Sequence, residues 1–107
     1  MDATPPPITL AAARKLPWRP GRSAEAFVDG DLEVRFTPKP TNGMQAPHER
    51  DELYFVATGT GFYRVDDGER TSVGPGDLCF CAAHHVHGFE NISEDFSIWI
   101  IFYGPRK

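Results

Sequence analysis

Residues 47–61, PHERDELYFVATGTG, hold the histidine, the glutamate and the glycine-rich turn on which the fold assignment depends. His48 stands four positions before Glu52, and residues 52–57 have the composition of a β-strand. In a strand, Glu52 and Tyr54 lie on one face. An unpaired carboxylate costs several kcal/mol when it enters a protein interior. The pattern therefore predicts either a solvated strand end, with His48 an ordinary loop residue, or a site that binds a cation.

Residues 74–91, GPGDLCFCAAHHVHGFEN, hold three of the four histidines. Imidazole is the commonest ligand of transition metals at neutral pH. Two histidines and one carboxylate form a three-point platform that leaves coordination positions open. His87, together with His48 and Glu52, would supply such a platform. The alternative is a polar turn whose histidines are only solvated.

Glycines and prolines divide the chain into short segments, with ten of each in 107 residues. This composition favours short strands and tight turns over long helices. The predicted strands cover residues 27–28, 32–36, 52–57, 62–65, 78–81 and 96–103. Residues 38–47 are predicted to be a loop. The spacing indicates an all-β sandwich or barrel, and pattern alone does not choose between them.

Two of the predicted strands differ in how their faces are composed. Glu33 and Arg35 alternate with apolar residues, which predicts a strand with one face in water. Residues 96–103, FSIWIIFY, are apolar on both faces, so the face outside the core needs a cover. A second copy in a homodimer is the simplest cover. Trp99 and Tyr103 share a face, either at a pocket mouth or in the dimer interface.

The first 24 residues are predicted to be a tail and strap that pack on a barrel domain over residues 25–107. Thr9 is a suitable cap for a short helix that runs to Leu16 and ends at Pro17. An extended strap is the alternative.

Composition argues against several classes of partner. The net charge is −4, and no basic cluster offers the positive face that nucleic acid requires. No apolar stretch approaches the roughly 20 residues of a membrane span, and residues 1–7 lack a secretory core. Cys79 and Cys81 share a strand face and are expected to be reduced, buried thiols, which favours a cytoplasmic protein. Thiolate ligation, which would favour zinc, is the alternative.

Taken together, the two segments resemble the two motifs of the cupin superfamily. Six positions match at the family separations: His48, Glu52, Gly59, Gly76, His87 and Asn91. Three departures accompany them. Ala46 stands at the first motif histidine, Pro40 at the opening glycine, and Ala82-Ala83-His84 at the Pro-x-Gly turn.

The resemblance implies a double-stranded β-helix, or jelly-roll barrel, that binds one divalent ion such as Fe, Mn, Ni or Zn. The implied ligands are His48, Glu52 and His87, and Ala46 leaves an additional position open. His85 is a possible substitute, because in an extended chain His85 and His87 would face the same way.

Two function classes follow from this site. The first is a metal-dependent enzyme of the oxygenase, isomerase or lyase type, acting on a small organic substrate. Tyr54 is then the best candidate for an acid or base, because it shares the face of Glu52. The second is a non-catalytic barrel that binds or senses a small ligand, with a structural metal or none. A metal-free barrel whose motif residues serve only turns and packing is the simplest alternative.

Overall fold

Nine strands and one short helix make up residues 4–107, the part of the chain that the computed structural model describes. The helix is α1 (Leu10–Ala13). The strands are β1 (Ala24–Asp29), β2 (Leu32–Thr37), β3 (Gly43–Gln45), β4 (Asp51–Thr58), β5 (Gly61–Val65), β6 (Thr71–Val73), β7 (Leu78–Cys81), β8 (His87–Glu90) and β9 (Ser97–Tyr103). None of the described helices is long and apolar enough to cross a membrane.

The strands form two antiparallel sheets, with the orders β1-β2-β9-β4-β7 and β3-β8-β5-β6. The inner faces of both sheets build one core, with members Tyr54, Val56, Tyr63, Val73, Cys79, Cys81, Phe89, Phe96 and Ile98. The predicted all-β jelly-roll fold is confirmed.

Three short strands, β3, β6 and β8, were not predicted, and two of them pair with each other. β3 lies inside residues 38–47, which the sequence predicts to be a loop, and β8 follows the histidine turn. These two strands pair with each other at close range, and a Cβ at Gly88 would collide with the backbone carbonyl of Gly43. Strands of three and four residues show too little alternation to be recognised from local pattern, because their partner is distant in the chain.

The alternation in β2 predicted that Glu33 and Arg35 face bulk water, and this prediction is wrong. They pair across β2 and β9 with Phe102 and Ile100, and the same two residues pair with Glu52 and Tyr54 of β4. Side chains opposite one another in a sheet share a face. The polar face of β2 therefore belongs to the inner wall of the barrel, where it lines a cavity.

The N-terminal segment contacts the five-stranded sheet. Thr9 caps α1 by accepting a hydrogen bond from the amide of Ala12 (3.1 Å), as predicted. The helix ends at Ala13 and not at Leu16, because the amides of Lys15 and Leu16 bond to carbonyls three residues back. Trp18 then donates its indole N–H to the Thr37 hydroxyl at 3.1 Å, which anchors the strap to the end of β2.

The outer face of β9 is only partly covered. Trp99 lies on this outer face, edge-on to Phe36 with ring centroids 5.1 Å apart, and so does not line the inner cavity. Pro5, Pro6 and Ile8 border the same apolar groove, so the chain supplies part of the cover itself. Farther along the sheet, apolar side chains remain exposed, namely Leu78, Phe80 and Tyr103. The homodimer stays a prediction.

Candidate metal centre

The structure brings together the three residues on which the site prediction depends. His48 lies on the loop before β4, Glu52 near the start of β4, and His87 at the start of β8. One donor atom from each lies within 4.8 Å of the other two. Glu52 Oε1 is 2.9 Å from His87 Nε2 and 3.6 Å from His48 Nε2. Because β4 and β8 belong to different sheets, closure of the barrel is what assembles this group.

The contact between Glu52 and His87 is unusual because both atoms are acceptors whenever the His87 ring is neutral. His87 Nδ1 lies 3.0 Å from the carbonyl oxygen of His85. A carbonyl only accepts, so Nδ1 carries a proton, and in the neutral ring Nε2 presents a lone pair. With the ring neutral, neither Glu52 Oε1 nor His87 Nε2 has a hydrogen-bond partner among the described residues, although both are buried. Buried acceptors in such proximity fit a shared cation.

A proton is the alternative occupant of this contact. Burial by itself lowers the pKa of His87, but the neighbouring Cys81 and Glu52 side chains and the His85 carbonyl outweigh it and raise the pKa to about 10. Without a metal, His87 therefore carries a second proton, on Nε2, at neutral pH, and its positive charge partly neutralises Glu52.

His48 is the third residue of the group and the most exposed of the three. Its side chain is 39% exposed, and its ring packs edge-on against Phe102 at 5.7 Å. The amide of His84 donates to the carbonyl of His48 at 2.8 Å, which ties the loops before β4 and β8 together. His84 has a φ of +72°, the left-handed conformation usually given to glycine. The turn is thus preserved although Ala82-Ala83-His84 replaces Pro-x-Gly.

His85 lies outside the group. Its Nδ1 atom is 2.6 Å from Asp66 Oδ2, and its side chain is exposed. Asp66 also accepts from the amide of Val86 and donates its own amide to the carbonyl of Val86. These bonds hold His85 against the outside of the barrel, whereas His87 enters it.

Tyr54 is buried beside the group, with its ring 5.8 Å from that of His87. Burial, and then the neighbouring Glu52 carboxylate, raises the pKa of Tyr54 well above its usual value. The phenol therefore stays protonated at neutral pH, so it is suited to donate a hydrogen bond and not to accept a proton. Its catalytic role stays a prediction.

Cys79 and Cys81 pair with Tyr54 and Glu52 across β7 and β4, which places both thiols on the inner face. Both cysteines are free and buried. Burial, and then the charge of Asp77, raises the pKa of Cys79 to about 11. Neither cysteine belongs to the group of three donors. The expected buried thiols are what the structure shows.

Next to the group lies a cavity of about 350 Å³. Its wall includes charged residues that the sequence did not mark as functional, namely Arg22, Glu33, Arg35 and Lys39. Alternation along β2 does not distinguish a face that meets bulk water from one that lines a polar cavity. No local signal therefore identified them.

Comparisons with known proteins agree with this architecture. The family model described as "Cupin domain" matches residues 32–103. An uncharacterized protein of Streptomyces coelicolor is 37% identical over 67 residues, which are 63% of this chain and 63% of that protein. This chain thus spans less than two thirds of that relative.

Solved structures share the fold as well. A structural-genomics protein from Rhizobium leguminosarum has a TM-score of 0.77 at 14% identity, covering 96% of this chain and 100% of that one. The DMSP lyase DddQ from Ruegeria pomeroyi has a TM-score of 0.57 at 21% identity, covering 71% of this chain and 40% of that one. These likenesses show the fold alone. With the family model matching most of the chain, the protein belongs to the cupin domain family.

Proposed function

We propose that this cupin binds one divalent metal ion through His48, Glu52 and His87 and uses it to act on a small organic molecule in the adjacent cavity. The observation that carries the proposal is the buried contact between Glu52 Oε1 and His87 Nε2, which lie 2.9 Å apart and need either a proton or a cation between them. A divalent ion would satisfy both atoms at once.

Two histidines and one carboxylate are a ligand set for Fe(II), Mn(II), Ni(II) or Zn(II) with open coordination positions. Ala46 provides no fourth ligand, and Asp66 holds His85 outside, so the open side would be available to a substrate. The ion, when bound, would polarise a carbonyl or carboxylate or activate water or O₂.

The chain's own residues would bind and orient the substrate. Ile98, Ile100 and Phe102 form an apolar floor between β2 and β4 that excludes water from one side of the cavity. The protonated Tyr54 phenol, beside Glu52, would donate a hydrogen bond to an oxygen that gains negative charge. Oxygenase, isomerase and lyase chemistry all fit this arrangement, and the DMSP lyase with the same fold supports the lyase type by analogy only.

A non-catalytic barrel that binds or senses a small ligand is the second candidate. Ala46 favours it, because a reduced ligand set is consistent with lost catalysis.

The proposal is tested on protein purified without chelators. We expect about one equivalent of a first-row metal per chain by inductively coupled plasma mass spectrometry, and a higher melting temperature on metal addition to stripped protein. Absence of metal together with an unchanged melting temperature would rule the proposal out. Conversion of small organic substrates, followed by NMR, would favour the enzyme, and stabilisation by compounds that are never converted would favour the sensor.

Metal affinity should rise with pH, because the ion must displace the proton of His87. Because the pKa of His87 is raised, its proton stabilises the metal-free fold fully at pH values below 6.5, the ordinary pKa of histidine. This stabilisation is lost as the pH rises through about 10. Between pH 7 and 8.5, the apparent affinity should increase about tenfold per pH unit. Calorimetric titration at three pH values checks this, and a flat profile would show that His87 releases no proton.

A further inference from the structure

The cavity has two walls of different chemistry that face each other across one strand. In register along β9, Phe102 lies between Glu33 and Glu52, and Ile100 lies between Arg35 and Tyr54. Because each strand step is about 4.8 Å, the Cα atoms of Arg35 and Tyr54 are about 10 Å apart. A short ligand lying over Ile100 could thus reach both walls.

The wall opposite the metal group is basic. Arg22, Arg35 and Lys39 line it, and its single carboxylate is Glu33. Glu33 is shared, because it pairs with Arg35 at 2.7 Å and with Arg50 at 3.3 Å. On the metal side, a divalent ion would more than offset Glu52. The cavity therefore carries an excess of positive charge in a chain whose net charge is −4.

Arg35 is held in a fixed position. Its Nε donates to the Ser23 hydroxyl at 2.6 Å, one terminal nitrogen donates to the Ser23 carbonyl at 2.7 Å, and the other to Glu33. These bonds use three of the five guanidinium N–H groups, so one on each terminal nitrogen is left without a partner among the described residues. A guanidinium fixed in this way is preorganised to bind a carboxylate.

We propose that the cavity takes a small organic acid, with one carboxylate bound by Arg35 and assisted by Lys39 and Arg22, and with its other polar end at the metal group. The inference rests on the proposed function for that second end. A volume of about 350 Å³ and a span of about two strand spacings suit a four- to six-carbon diacid. A neutral ligand would leave the positive charge of the basic wall without a counter-charge.

The test compares succinate with succinamide, its uncharged analogue, by calorimetric titration of metal-loaded protein. Succinate is expected to bind at least about tenfold more tightly. Arg35→Met should weaken succinate binding at least about tenfold while metal content per chain stays unchanged. Arg70→Met is the matched control, because Arg70 lies over Phe62 on the other sheet, and it should bind succinate as the parent does.

Lys39→Glu is a second variant that should not disturb the fold, because Lys39 is exposed and the bonds to Ser23 and Glu33 come from Arg35 and Arg50. It should weaken succinate binding at least about fivefold. Equal binding of succinate and succinamide, or unchanged succinate affinity in both cavity variants, would overturn the inference and leave the metal proposal intact. If the chain holds no metal, the proposed function fails. Titration of the metal-free protein with succinate then tests the inference, which requires that the affinity for succinate falls in Arg35→Met and in Lys39→Glu.

Discussion

Glu52→Gln is expected to abolish metal binding without unfolding the protein. The amide keeps the shape of the side chain, which is 1% exposed, and removes the buried charge. It can also donate to Nε2 of a neutral His87 ring, in place of the proton that His87 shares with Glu52 in the metal-free parent. Because a carboxylate contributes both charge and a ligand atom, metal affinity should fall at least about 100-fold. The free energy of unfolding of the metal-free protein should change by less than about 2 kcal/mol, because the lost interaction with the His87 proton is offset by the removal of a buried charge.

Urea denaturation with and without chelator measures both quantities on the same samples. In the parent, removal of the metal should lower stability, and in Glu52→Gln the two curves should coincide. A loss of more than about 3 kcal/mol in the metal-free variant would instead mean that Glu52 serves the fold through contacts that the amide cannot replace.

His87→Ala should also abolish metal binding, but at a large cost in stability. The substitution leaves a cavity in the core and leaves Glu52 buried without its neighbour. Removal of one partner from such a buried pair costs about 3–5 kcal/mol. The melting temperature of the metal-free variant should therefore drop sharply, in contrast to Glu52→Gln.

His85→Ala is the matched control for this variant, since it removes a second imidazole two positions away. His85 is exposed and pairs with Asp66, so the loss of stability should be within about 1 kcal/mol and metal content should be unchanged. Metal content by mass spectrometry separates the two variants. If His87→Ala retained the metal and His85→Ala lost it, His85 and not His87 would be the ligand.

The sequence predicts the fold well where signals are long or repeated. β4 and β9 are recognised because they contain five or more consecutive apolar residues, and His48, Glu52 and His87 match the spacing of the two family motifs. Gly59 illustrates why the motif persists: its φ is +78°, and a Cβ there would lie 2.6 Å from the Cα of Phe96. A backbone conformation and a close contact of this kind require glycine, so they can be recognised from a single residue of the sequence.

Other features depend on contacts between distant residues and leave no local trace. Asp66 decides that His85 lies outside the barrel, although the two are 19 positions apart. The sheet register decides that Glu33 and Arg35 face a cavity and not bulk solvent. The basic wall of the cavity faces the metal group only because β2, β9 and β4 lie side by side in the sheet.

The most direct test of the central claim is a crystal of the metal-loaded protein measured at the absorption edge of the metal. We predict one anomalous peak within about 2.0–2.3 Å of Glu52 Oε1, His48 Nε2 and His87 Nε2. A metal-replete crystal with no peak at these atoms, or with its peak at the sulfur atoms of Cys79 and Cys81, would contradict the account.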